Sequence, residues 1–190
     1  MITVFTSLLP HVFAAPLGVS LTDLPFDFSL YAWNTTRPNA NSTGVPLVLG
    51  QNGASTGLSF HVTSTYFSYP YNDYPSLRLV NGSLRAYHSS GVWMTNATSV
   101  LDGQPLRWVS STFYSRPAAK DFSVSVAPGW EYPVLKAHGR DDLWYLCDPA
   151  DVGVRRAQTN VVFDVDGVVG GGSASKRECW RVRVYVVPMS

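Results

Sequence analysis

The segment "CWRVRVYVV", Cys179–Val187, decides how the rest of the chain is read. Side chains along a strand alternate between its two faces. Trp180, Val182, Val184 and Val186 therefore share one face, and Arg181, Arg183 and Tyr185 share the other. A helix would scatter the same valines around its circumference. A strand with one apolar and one polar face is half buried, as in antiparallel sheets.

The same signature recurs upstream. Short β-branched or aromatic runs are separated by Gly, Pro, Asn and Asp, and no stretch sustains a helical period. Strands are expected at Phe26–Trp33, Val45–Leu49, Leu58–Phe67, Ser76–Val80, Ser83–Tyr87 and Gly91–Met94. Further strands are expected at Leu106–Tyr114, Phe122–Val126, Val134–Ala137, Leu143–Cys147, Asn160–Val165 and Cys179–Val187. Asn81-Gly82 sits between "SLRLV" and "SLRAY". It is a strong hairpin signal, because a two-residue type I′ turn needs positive φ at both positions. "VLKAHGRDDLWYLC" reads as a second hairpin turning near Gly139. The fold class is all-β. The expected architecture is an antiparallel β-sandwich, with a closed or trefoil-like β-barrel as the alternative.

"NVVFDVDGVV", Asn160–Val169, is the one stretch that suggests a different fold. Its Asp-Val-Asp-Gly resembles the first motif of the haloacid-dehalogenase phosphatases, which stands on the first strand of a parallel α/β sheet. Here the motif lies close to the C-terminal end, with no helical pattern and no second acidic pair after it. Alternation puts Asp164 and Asp166 on one face with Val162, as expected of a half-buried strand entering an Asp-Gly turn.

The 190 residues fit a single domain, long enough to bury roughly 70% of its unfolded surface. Charged residues make up 14% and the net charge is +1, so nothing in the total attracts nucleic acid or an anionic membrane. Arg outnumbers Lys eleven to three beside six Trp, ten Tyr and nine Phe, which predicts Arg–aromatic and Arg–Asp contacts on strand faces.

Residues 1–14 read as a signal peptide: a short apolar run, Val4–Leu9, precedes Val12-Phe13-Ala14, with small or aliphatic residues before the cleavage point. The mature domain would be 15–190, secreted and extracellular. Cys147 and Cys179 are the only cysteines, and an even pair in an exported chain reads as one disulfide. Closing a loop of about 33 residues stabilises by roughly 3–4 kcal/mol in the chain-entropy model. Asn34, Asn41, Asn81 and Asn96 each open an N-glycosylation sequon. Asn34 and Asn41 lie in a polar loop, whereas a glycan on Asn81 would share a tight turn.

Metal and cofactor sites are not expected. His61, His88 and His138 have no ligand spacing, and the cysteines are spent on the disulfide. Asp141, Asp142, Asp148 and Asp151 lie beside Arg140, Arg155 and Arg156, which predicts a surface ion-pair group rather than a catalytic carboxylate pair. The chain is read as non-enzymatic, with no catalytic residues. The most unusual stretch is "STYFSYPYNDYPS", Ser64–Ser76. Tyr66, Tyr69, Tyr71 and Tyr74 would present rings to sugar faces, with Asn72 and Asp73 as hydroxyl partners. Alternatively the loop packs on the sheet edge.

Three pieces resemble small fungal secreted proteins of the phialide-development cell-wall type (phiA-like, also called IgE-binding-like). They are "FDFSLYAWN", the "LRLVNGSLRAY" hairpin, and "LWYLCDPADVGVRRAQTNVVFDV" followed by "RECWRVRVYVV". The resemblance implies a fungal extracellular or cell-wall β-sandwich with no established catalytic residues. The expected function is that of a secreted, N-glycosylated, non-enzymatic interaction protein with cell-wall polysaccharide as partner. The alternatives are a carbohydrate-binding module or lectin using the Tyr66–Tyr74 loop and, third, a secreted hydrolase with carboxylates converging in one cleft. Nothing in the sequence specifies an oligomeric state.

Overall fold

The computed structural model describes residues 19–91, 94–111, 117–148, 157–165 and 178–189. The expected signal peptide, 1–14, and Asp151, Arg155, Arg156 and Asp166 fall outside them. Among the described residues thirteen strands run in chain order: β1 Val19–Leu21, β2 Phe28–Asn34, β3 Val45–Ser55, β4 Leu58–Thr65, β5 Ser76–Val80, β6 Ser83–Tyr87, β7 Met94–Ala97, β8 Arg107–Ser111, β9 Phe122–Val126, β10 Val134–Ala137, β11 Trp144–Cys147, β12 Asn160–Phe163 and β13 Cys179–Pro188. No helix occurs among the described residues, so none is long and apolar enough to cross a membrane.

The sandwich expectation is corrected by strand closure. β2 pairs along its length with β13, from Asn34 opposite Val182 to Phe28 opposite Pro188. From β13 the pairing continues through β11, β12, β4, β8, β7, β6 and β5 and returns to β2. All of these pairs are antiparallel, giving a closed nine-strand barrel. β3 pairs with both β4 and β2, and β10, β9 and β1 extend from β13 as extra strands. Closure leaves the ring without an open edge for another chain to pair with. Alternation along each strand is the same in a sandwich and a barrel, so the pattern could not choose between them.

The last strand alternates as expected. Val182, Val184 and Val186 lie in the main core with Phe28, Leu30 and Ala32 of β2. Its other face carries Tyr185, stacked with Trp33 and Tyr132 at 6.0 and 5.9 Å, and Arg183, whose guanidinium sits 4.9 Å from the Trp130 ring. Arg37 over Trp180, Arg78 over Tyr87 and Arg181 over Tyr145 repeat the motif. Arg140 pairs with Asp142 and Arg78 with Asp27, so the Arg excess serves the contacts its composition suggests. Two fully buried tryptophans anchor the interior without stranding their N–H groups. Trp108 Nε1 donates to Thr63 Oγ1 and Trp144 Nε1 to the Leu135 carbonyl, each at 2.9 Å.

Asn81 and Gly82 adopt φ of 48° and 74°, the left-handed values a type I′ hairpin needs, and β5 pairs with β6 in full. The turn near Gly139 also forms, with His138 at φ 50° and Gly139 at 76°. The second hairpin does not continue past it. Ala137 bridges Arg140, but β10 and β11 then dock on different stretches of β13. Cys147 lies opposite Cys179 in the β11–β13 register, and the two form the disulfide across a sequence separation of 32.

The phosphatase-like stretch is an ordinary barrel strand. β12 pairs antiparallel with β11 and ends at Phe163, two residues before the expected boundary. Asp164 then turns into the left-handed region at φ 42°, and its N–H donates to the Leu143 carbonyl at 2.8 Å. Among the described residues no parallel strand pair is present to place that carboxylate as the phosphatase motif would.

Candidate functional site

The loop between β4 and β5 is built by local hydrogen bonds. Thr65 ends β4, and its carbonyl accepts from the backbone N–H groups of Ser68 and Tyr69 at 3.1 and 3.0 Å. Ser68 Oγ accepts from the Thr159 N–H at 3.1 Å, bolting the loop to the segment before β12. The Tyr71 N–H donates to the Tyr69 carbonyl at 2.8 Å, a three-residue turn that brings the two phenols together. Their ring centroids are 5.2 Å apart and edge-to-face.

Opposite the loop, β3 carries an irregularity. Its register with β4 shifts between Gln51 and Gly53, and Gly53 takes φ 140°. A bulge of this kind redirects side chains and bends the strand. Between bulge and loop lies an open groove of about 840 Å³, lined by Gln51, Asn52, Tyr69, Tyr71, Asp73 and Gln158 among others. Gln158 forms part of the floor. Its Nε2 donates to the Gln51 carbonyl at 2.9 Å and its Oε1 accepts from Ser64 Oγ at 2.5 Å. Gly50 makes room for it, since a Cβ there would come within 1.8 Å of Gln158 Oε1.

The structure divides the six loop residues singled out in the sequence. Tyr69, Tyr71 and Asp73 reach the groove, and Tyr71 is 62% exposed. Tyr66 and Asn72 instead line a small cleft of about 70 Å³ near Tyr31 and Pro75. Tyr74 is a correction: only 8% exposed, it belongs to the core, with its ring edge-on to His61 and His88. It does not reach the groove, because it starts the turn into β5, whose apolar side points inward. Phe67, next to the groove, is 94% exposed. The sequence reading missed Gln51, Asn52 and Gln158. The signal that could have found them was glycine inside a strand, at Gly50 and Gly53, which marks a bulge or a close approach.

Two sequons share one geometry. Asn34 Oδ1 accepts from the N–H and hydroxyl of Thr36 and from the Arg37 N–H, at 2.9, 3.1 and 2.8 Å. Asn41 Oδ1 accepts from the Thr43 hydroxyl and the Gly44 N–H, at 3.1 and 2.7 Å. In both, the bonds fall on Oδ1, whereas a glycan attaches at Nδ2. Asn81 is exposed, and its N–H donates to Asp23 Oδ1 at 2.6 Å. Asn96 is half-buried in β7, with an Oδ1 that finds no partner among the described residues.

Among the described residues no group of three or more His, Cys, Asp or Glu side chains gathers as metal ligands would. Comparison with protein-family models, with curated proteins and with solved structures gave no match.

Proposed function

We propose that the chain is a secreted, N-glycosylated, non-enzymatic protein of the fungal cell wall whose interaction surface is the Tyr69–Tyr71 groove, with cell-wall polysaccharide as its partner. The carrying observation is the pairing of exposed aromatic rings with amide and carboxylate side chains in one open groove of about 840 Å³. Rings offer an apolar face to the C–H side of a sugar. Gln51, Asn52, Gln158 and Asp73 offer donors and acceptors for its hydroxyls. An open, shallow shape suits a chain lying across the surface better than an enclosed small molecule.

Hydrolysis is the weaker reading of the same groove. Glycoside hydrolases ordinarily use two facing carboxylates, and among the described residues Asp73 is the one acidic residue lining this groove. The resemblance to phiA-like proteins, the signal-like leader and the disulfide support an extracellular setting. The Asx-type turns at Asn34, the last residue of β2, and at Asn41 support glycan attachment there, because the hydroxyl of the third sequon residue is already engaged with the Asn side chain.

A glycan array probed with the enzymatically deglycosylated protein tests the binding reading. Retention on β-glucan or chitin oligosaccharides is the expected result, and an array with no retained glycan contradicts it. Mass spectrometry of protein from its native host tests the processing. It should find residue 15 at the N-terminus and glycans on Asn34 and Asn41.

A further inference from the structure

A second cavity opens on the inward face of the wall. It measures about 480 Å³ and is lined by Ser59, Tyr74, His88, Ser90 and Ser110, with the β3–β4 turn around it. Strand register explains its polarity. Ser59 of β4 lies opposite Ser110 of β8, and His61 lies opposite Trp108. Asn96 of β7 lies opposite Val109, which sets Thr95 beside Ser110 on the same face, and Thr95 in turn faces Ala86. One rung of the barrel is therefore Ala86, Thr95, Ser110 and Ser59, while the next carries Ala97, Trp108 and His61. Small hydroxyl residues leave a space where large apolar ones would fill it.

Ser110 Oγ, which lines this space, is buried without a hydrogen-bond partner among the described residues, and so are Thr95 Oγ1 and His61 Nδ1 at neighbouring positions of the same inward face. Thr95 is 0% and Ser110 6% exposed. Buried hydroxyls are nearly always paired, so three orphans at one end of one barrel call for an occupant. The Trp108 indole N–H on the same face is paired, with Thr63 Oγ1.

We propose that this open cleft is a binding site, separate from the groove, for an uncharged hydroxyl-rich small molecule of the monosaccharide or polyol class. Among the described residues no Asp, Glu, Lys or Arg lines it, so they offer a charged guest no counter-charge. An apolar guest would leave the hydroxyls unpaired. A polyol both donates and accepts, as Ser and Thr do, and an imidazole nitrogen offers it one more partner. Tyr74 and His88, 5.2 Å apart and edge-to-face, also line it. Burial, the leading cause, lowers the His61 pKa; the Asp73 charge opposes this and His88 adds to it, and the result favours a neutral ring.

The test is NMR titration of the whole mature protein with glucose, mannose, N-acetylglucosamine and mannitol in separate arms. The ring resonances of His61 and His88 should shift saturably with at least one of them, while those of His138 stay fixed. Thr95→Val keeps the side-chain shape and removes one orphan hydroxyl. It should leave the fold intact and weaken the response at least tenfold. Tyr71→Ala, in the groove, should leave the response unchanged. The proposal is overturned if none of the four probes shifts His61 or His88, which would mean that the hydroxyls bind water only. It is overturned equally if Thr95→Val titrates like the wild type. Loss of the response in Tyr71→Ala would assign it to the groove instead.

Discussion

Aromatic residues cluster in two regions of this barrel, and the two clusters behave in opposite ways. On the outer face of the β2–β13 seam, Tyr185 stacks between Trp33 and Tyr132 and is only 7% exposed. In the β4–β5 loop, Tyr71 and Phe67 project into solvent. Residue type does not separate the clusters, but backbone does. Seven consecutive register pairs hold β2 against β13 and bring each ring against its neighbours. The loop is held by Thr65 and Ser68, which fix its backbone and leave its rings uncovered. Aromatics on a paired strand contribute to stability; aromatics on a braced loop are available for recognition.

The comparison breaks most readily at the seam. Tyr185→Ala removes a buried ring and should destabilise the fold by about 3–4 kcal/mol; a urea melt with little or no shift would show that the seam rings do not stabilise it. Replacing both cysteines with Ala should cost about 2–4 kcal/mol, by the same melt. The loss falls on β11–β13, where Cys147 and Cys179 lie directly opposite.

Gly50→Ala sharpens the contrast from the groove side. The new Cβ would come within 1.8 Å of Gln158 Oε1 and 2.6 Å of the buried Ser64 Oγ, so the Gln158 side chain must swing away and the Ser64 hydroxyl must turn. The stability cost should be about 1 kcal/mol, whereas glycan affinity should fall, because Gln158 leaves the groove floor. The smallest effect is on pH dependence. His61 has a folded pKa below its ordinary value, chiefly through burial. The unfolded chain therefore takes up the proton more readily, and stability falls as pH drops from about 6.5 toward the folded pKa. Urea melts between pH 7 and pH 5.5 should show a shallower slope in His61→Gln than in wild type.

Much of the barrel was legible in the sequence because alternation survives any packing of sheets. β5, β6, β9 and β10 have the expected bounds, and the Asn81-Gly82 turn has the expected backbone. β1 was missed: Val19–Leu21 is a three-residue exposed strand with no buried face to leave a pattern. Closure was not legible, since it depends on pairing between distant strands such as β2 with β13. The groove was half legible. Its tyrosines stood out by composition, but Gln51, Asn52 and Gln158 are common surface residue types brought together only by the bulge. Tyr74 looked like its neighbours in sequence and lies in the core because β5 begins just after it.

The central claim is that loop rings recognise a glycan while seam rings hold the fold. One paired measurement tests it: isothermal titration of Tyr71→Ala and Tyr185→Ala with the oligosaccharide best retained on the array, alongside their urea melts. Tyr71→Ala should lose at least tenfold in affinity with wild-type stability. Tyr185→Ala should lose stability and, while folded, bind as the wild type does. Wild-type affinity in Tyr71→Ala would contradict the account.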